Sequence, residues 1–204
     1  MDRTIFLQRY WNYYSKLEQD CVSLSQYVEF RESNFNTCSN VLIGQMLNVG
    51  AEFDHFCKIV CGLDTNKRPN IADYAEYLLS KIENLNEIRV HVQGTSIELF
   101  PFKDWSKSTA GQLFWWDAYN KVKHNREEYY EQGNLENLLN ALAALYFLEM
   151  YYVRDIAQKS KHPDAIDLPM SASQLFRIVG WVTRFSFIGY NTYTDYEPDF
   201  DGIF

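Results

Sequence analysis

Ser39-Asn40-Val41-Leu42-Ile43-Gly44-Gln45-Met46-Leu47-Asn48-Val49-Gly50-Ala51-Glu52-Phe53-Asp54-His55-Phe56-Cys57-Lys58-Ile59-Val60-Cys61-Gly62 carries the cleanest periodicity in the chain. Leu42, Met46, Val49, Phe53, Phe56 and Val60 recur in alternating steps of four and three. That spacing predicts a helix over about 39–62 with one continuous apolar face. Ile43, Leu47, Gly50, Ala51 and Cys57 widen the face. Thr37 or Ser39 supplies an N-cap, and Gly62 a C-cap. Gly50 costs helix stability relative to Ala, so its position marks the close approach of another helix. Glu52, Asp54 and His55 read as the polar face that such a helix needs.

Outward from this helix, the chain alternates helical patterns with short breaks. Before it, Ile5, Tyr10, Trp11, Tyr14, Leu17, Cys21, Leu24 and Val28 predict one long helix over 4–31, and 32–36 breaks the pattern. After it, 64–70 read as a loop and 71–84 as a short helix. The period then changes to two: Ile88, Val90 and Val92 alternate with Arg89, His91 and Gln93, and Ile97 and Leu99 flank Glu98. With Gly94-Thr95-Ser96 between them, these runs predict a hairpin over about 88–100, with His91 on its polar side. A helix over about 109–125 follows, then a polar connection. A strongly apolar helix over 135–159 is capped by Asn134. Glu149 falls on its apolar stripe, which places it at a bundle edge or in a pair. Pro163 and Pro169 close the helical part. The stretches 173–179 and 181–187 are rich in strand formers, and read equally as a short helix and an extended arm. The fold class is mainly α: an up-and-down helical bundle over 1–169 with the inserted hairpin, then a C-terminal extension over 170–204.

Composition narrows the function classes. A chain of 204 residues with 47% apolar side chains builds a real core, and 17% aromatics is a rich share. The net charge of -8 speaks against a protein that coats nucleic acid generally, while leaving room for a local basic site. Cys21, Cys38, Cys57 and Cys61 include no Cys-x-x-Cys pair and no zinc spacing, so they read as free thiols in a reducing compartment, with no metal and no cofactor expected. No segment looks like a signal peptide, and no run of about 18 apolar residues suggests a membrane span. A cytoplasmic protein with no membrane partner is the expectation. Gly-rich phosphate loops, nucleophile elbows and repeats do not occur in the sequence.

The chemistry concentrates in Trp115-Trp116-Asp117-Ala118-Tyr119-Asn120-Lys121-Val122-Lys123-His124-Asn125-Arg126. On a helix, Trp116, Asn120 and His124 share one face, and Tyr119, Lys123 and Arg126 the next. One turn thus presents an imidazole, a carboxamide and two cations. The plainer reading is two tryptophan core anchors followed by a solvated basic terminus that complements the helix dipole.

This layout of helices around Tyr119-Asn120-Lys121-Val122-Lys123-His124 resembles the HEPN superfamily, small α-bundles often found as RNA-cutting toxins or phage-defence proteins. The family signature is an Arg, often followed by Asn, with a His roughly four to six residues later. Asn120 and His124 match the Asn and the His, while Tyr119 stands where the family has Arg. By helix count the likeness spans roughly residues 5–159. It implies a metal-independent endoribonuclease with His124 and Asn120 as motif residues and RNA as partner; Lys123 and Arg126 join them as site candidates by proximity, not by the motif. It also implies a homodimer whose two motifs share a groove, and a small cognate partner protein. His124 would move the proton, Asn120 orient the imidazole or bind a phosphate oxygen, and a nearby cation (Lys121, Lys123 or Arg126) stabilise phosphate charge. The competing reading is a non-catalytic all-α interaction module that binds a protein through its aromatic-rich surface.

Overall fold

A computed structural model describes residues 3–64, 68–106, 108, 112–159 and 173–181. The chain is mainly helical with a small antiparallel sheet. Helix α1 (Arg3–Phe6) runs through a π-helical turn (Leu7–Trp11) into α2 (Asn12–Leu24). Helices α3 (Asn40–Val60), α4 (Ile71–Lys81), α5 (Phe114–His124) and α6 (Leu135–Lys159) follow. Strands β1 (Val90–Val92), β2 (Glu98–Leu99) and β3 (Phe176–Ile178) make the sheet.

Helix α3 matches its sequence pattern closely. The Ser39 hydroxyl, not Thr37, caps it by accepting the Leu42 N–H at 3.1 Å. At its far end Gly62 adopts φ +60°, and Gly62 and Leu63 donate back to Ile59 and Lys58, a Schellman closure. Leu42, Met46, Val49, Phe53 and Phe56 are all buried. The bundle assembles around this face and that of α6. Leu135 and Glu136 donate to the Thr37 and Phe35 carbonyls, so α3 and α6 start side by side. Near their other ends the Phe56 and Tyr152 rings meet edge-on at 5.7 Å, so the two helices run in the same direction. Helices α2 and α5 run against them: Tyr14 stacks on Tyr146 while Phe6 meets Tyr152, and Trp115 meets Phe53 while Tyr119 meets Gly50. The up-and-down order follows.

The first helix is shorter than its 4–31 pattern. It ends at Leu24, where the Ser23 and Ser25 hydroxyls bond to their own helix's carbonyls and Tyr27 and Val28 close a turn on Leu24. Serine hydroxyls compete with the helical ladder in this way, so apolar periodicity outlasts the helix. Similarly, α4 stops at Lys81 and not at 84, and α5 starts at Phe114 after an extended Leu113. Helix α6 spans its predicted 135–159.

The hairpin is present, and a third strand joins it. Strand β1 pairs with β2 (Val90 opposite Leu99) and on its other side with β3 (Val90 opposite Ile178, Val92 opposite Phe176). Val90, Val92, Leu99, Phe176 and Ile178 face the core, and Glu98 and Arg177 face out beside a half-buried His91. Within 173–179, Phe176–Ile178 therefore take the strand reading. The stretch 182–204, and with it most of 181–187, lies outside the described residues.

What holds β3 is a buried acid. Glu18 accepts hydrogen bonds from the Tyr14 hydroxyl (2.7 Å), the Ser173 hydroxyl, and the backbone N–H groups of Gln174 (3.0 Å) and Leu175 (3.3 Å). Ser173 Oγ in turn accepts the Phe176 N–H at 2.6 Å. A carboxylate in that many donors is compensated for its burial. The four cysteines are free, and Cys21, Cys57 and Cys61 are buried. Burial pushes the Cys21 and Cys61 thiols up to about 12, which keeps them protonated and unreactive. No helix among the described residues is long and apolar enough to cross a membrane.

Candidate functional site

Helix α5 enters from the core and leaves at the surface. Trp115 is fully buried, its indole N–H donates to the Pro101 carbonyl at 2.8 Å, and its ring meets Phe53 edge-on at 4.8 Å. Trp116 and Tyr119 pack on each other at 4.9 Å. Tyr119 is 3% exposed and lies directly on Gly50, where a Cβ would overlap its ring. Gly50 therefore does admit a neighbouring helix, as its mid-helix position suggested. The residue in the place of the family's Arg is thus a core residue.

The face bearing Trp116, Asn120 and His124 rises from buried through half-buried to exposed. Asn120 lies back along its own helix, its amide N–H donating to the Trp116 carbonyl at 3.1 Å. This engages the amide N–H within α5 and leaves the carboxamide oxygen free of that bond. His124 is the last residue of α5 and is solvent-exposed. Lys121, Lys123 and Arg126 are exposed around it. Lys123 Nζ sits 5.2 Å from the Tyr119 ring centroid, and Lys121 Nζ 5.8 Å from that of Tyr129. Each cation is thereby held near an aromatic face at modest cost to its mobility. The turn after α5 is set by Asn125, whose amide donates to Glu128 at 2.7 Å.

The electrostatics here are local. Lys121, Lys123 and His124 complement the negative end of the α5 dipole. Asp117, one turn below Lys121, has its carboxyl raised by burial, which Lys121 partly offsets. The Tyr129 hydroxyl is raised by its hydrogen bond and charge contact with Glu128. Glu127, Glu128 and Glu131 follow the cations directly in the chain and are exposed.

The structure thus brings His124, Lys123 and Arg126 to one exposed helix end, and places Asn120 a turn below with its donor engaged. Among the described residues no group of three or more His, Cys, Asp or Glu side chains gathers as metal ligands.

A second constellation lies in the other half of the bundle, and sequence reasoning passed it over. Glu149 is fully buried, not at a bundle edge, and neither of its carboxylate oxygens has a hydrogen-bond partner among the described residues, so it is not paired either. Glu52 is half-buried on α3. His55 and Tyr10 stack at 5.8 Å, with the Tyr10 hydroxyl 3.4 Å from His55 Nε2. Asp54, the remaining acid of this helix turn, is engaged by Lys58 and by the Tyr74 hydroxyl at 2.7 Å. The signal available in the sequence was Glu149 on an apolar stripe; its facing partner on α3 was visible only once the helices were aligned.

No protein-family model, curated relative or solved structure matches the chain.

Proposed function

We propose that the chain is a HEPN-like, metal-independent endoribonuclease that acts through the exposed end of α5. The observation that carries this reading is the position of His124: solvent-exposed at a helix terminus, with Lys121, Lys123 and Arg126 exposed around it in a chain of net charge -8. RNA supplies its own nucleophile. The 2′-oxygen attacks the adjacent phosphorus, the P–O5′ bond breaks, and a cyclic phosphate and a free 5′-hydroxyl result. His124 takes the 2′-OH proton as general base, and solvent supplies the proton that the leaving 5′-oxygen needs to become the 5′-hydroxyl. Lys123 and Arg126 meet the charge that builds on the phosphate oxygens. Asn120 contributes its carboxamide oxygen toward the imidazole, or swings its amide off the Trp116 carbonyl to bind phosphate. In a toxin–antitoxin or phage-defence setting the protein would act as a homodimer and travel with a small cognate partner protein.

One observation favours a second reading, the non-catalytic interaction module: Tyr119 is core, so no cation stands at the family's Arg position. A single assay separates the two. Purified protein is incubated with a mixed single-stranded RNA pool in EDTA, wild type beside His124→Ala, with circular dichroism as the folding control. General acid–base help is worth about 100- to 10,000-fold, so the variant is expected to lose at least about 100-fold in cleavage. Equal cleavage by both proteins removes His124 from the reaction. No cleavage by either moves the assignment to the interaction module.

A further inference from the structure

Glu149 lies one turn before Tyr152 on α6, and Glu52 one turn before Phe56 on α3. The Tyr152 and Phe56 rings touch, and the two helices run in the same direction. The two acids therefore face each other one turn back from that contact. The π turn closes over them: Phe6 lies 5.3 Å from Tyr152 and 6.1 Å from Phe56, and Tyr10 lies 5.6 Å from Phe56 and stacks on His55. Asn12 N–H donates to the Leu7 carbonyl, the wide bond of a π turn, a feature common at functional sites.

A buried carboxyl without a partner avoids the cost of a bare charge in one of two ways: it binds a cation or it keeps its proton. The rings above the acids contact one another at 5.3–6.5 Å, a closed packing. No third donor among the described residues completes a metal-ligand group. The occupant that fits is a proton. Burial, and then the charge of Glu52, hold the Glu149 carboxyl well above its usual range. Burial pushes Glu52 up to about 7. The other titratable groups around the pair are His55 on α3, Arg9 and Tyr10 on the π turn, and Tyr146 and Tyr152 on α6. Helix α5 presents Trp115 and Trp116 to Phe53 here, its Asp117 lying with Lys121.

We propose that Glu149 is a proton-binding site facing Glu52, and that loss of its proton releases the π turn from α3 and α6, making this end of the bundle a pH-responsive latch. With both carboxyls ionised, two like charges would face each other under a lid of rings. The segment above the pair is held by the Phe6 and Tyr10 ring contacts, by Trp11 on Tyr14 and by the Tyr10–His55 hydrogen bond. The two acids titrate as a pair, in two macroscopic steps. Raised folded-state values mean that the neutral form is favoured on folding. The stabilisation is complete below the ordinary carboxylate range and is lost as pH rises, first through about 7 at Glu52 and further at Glu149.

The test is amide hydrogen exchange of 5–12, corrected for the chemical exchange rate, as a function of pH. Wild-type protection is expected to fall at least about tenfold between about pH 6 and about pH 9, and Glu149→Gln to show a flat profile. A flat wild-type profile, or an equal fall in Glu149→Gln, overturns the latch. If Glu149→Gln does not fold, Glu52→Gln replaces it at a half-buried position and, by removing the charge that raises Glu149, is expected to move the fall to a lower pH; an unmoved fall is the overturning result. Infrared spectroscopy of the wild type adds an independent reading: a buried protonated-carboxyl band is expected near neutral pH, and its absence overturns the assignment.

Discussion

Tyr119 shows at the residue scale how a motif position and a structural position conflict. The family likeness assigns it to a cation, while the packing assigns it to Gly50 and Trp116. Tyr119→Arg is therefore expected to cost several kcal/mol, since a guanidinium in that place has no partner, and to restore no activity. A urea titration beside the cleavage assay checks both halves; a stable, more active variant would show that the side chain reaches solvent. The reverse side of the contact makes its own prediction. Gly50→Ala introduces a Cβ where the Tyr119 ring lies, and helix propensity alone would favour the change. Overpacking wins, with an expected loss of about 1–3 kcal/mol, read from the denaturation midpoint. The contact was half legible: a glycine inside a strong helical pattern announced a close approach, but its partner sits far along the chain.

At the scale of elements, α3 and the β3 anchor behave differently. Phe53 is fully buried between Trp115 and Trp116. Phe53→Ala is expected to cost about 3–5 kcal/mol in a chemical melt, and a loss below about 1 kcal/mol would contradict its placement. Glu18 holds β3 with one carboxylate. Glu18→Ala strips acceptors from the Tyr14 and Ser173 hydroxyls and two backbone N–H groups in a buried site. The expected cost is on the order of 3 kcal/mol, with exchange protection lost at 174–178 before the rest of the fold. Global loss with no local difference would mean that the strand is held by its ladder to β1 alone. Helix spans were readable because their apolar period is local and their caps lie within a few residues. Strand β3 was only one of two readings, since its partner residues are some 80 positions away, as in the Gln93–Ser173 bond. The same separation hid Glu18, which in the sequence is one more polar residue on an amphipathic helix.

For the whole molecule, the proposed ribonuclease needs two copies sharing one groove. Light scattering at high concentration is expected to give a two-chain particle rather than one of 24.1 kDa. A single-chain mass would remove the composite site and leave His124 acting alone. The two proposed sites lie in opposite halves of the bundle, because α5 runs against α3 and α6. His124→Ala is thus expected to leave the exchange profile of 5–12 unchanged, and Glu149→Gln to leave the basic end of α5 in place. Distant sites without shared partners act additively, so the double variant should show both effects and no more.

The sequence by itself determined the helical class, the spans of α3 and α6, the hairpin and the grouping of His124 with its cations. Each of these depends on residues within a few turns of one another, through periodicity, capping and turn chemistry. Only the tertiary structure decided that Tyr119 is core, that Glu18 fastens β3, and that a fully buried Glu149 lies within reach of the charge of a half-buried Glu52. Those facts depend on which helix faces meet and in which direction they run. That choice is made by packing the whole set of apolar faces at once, and an acid on a stripe gains its chemistry only from what the facing helix brings to it.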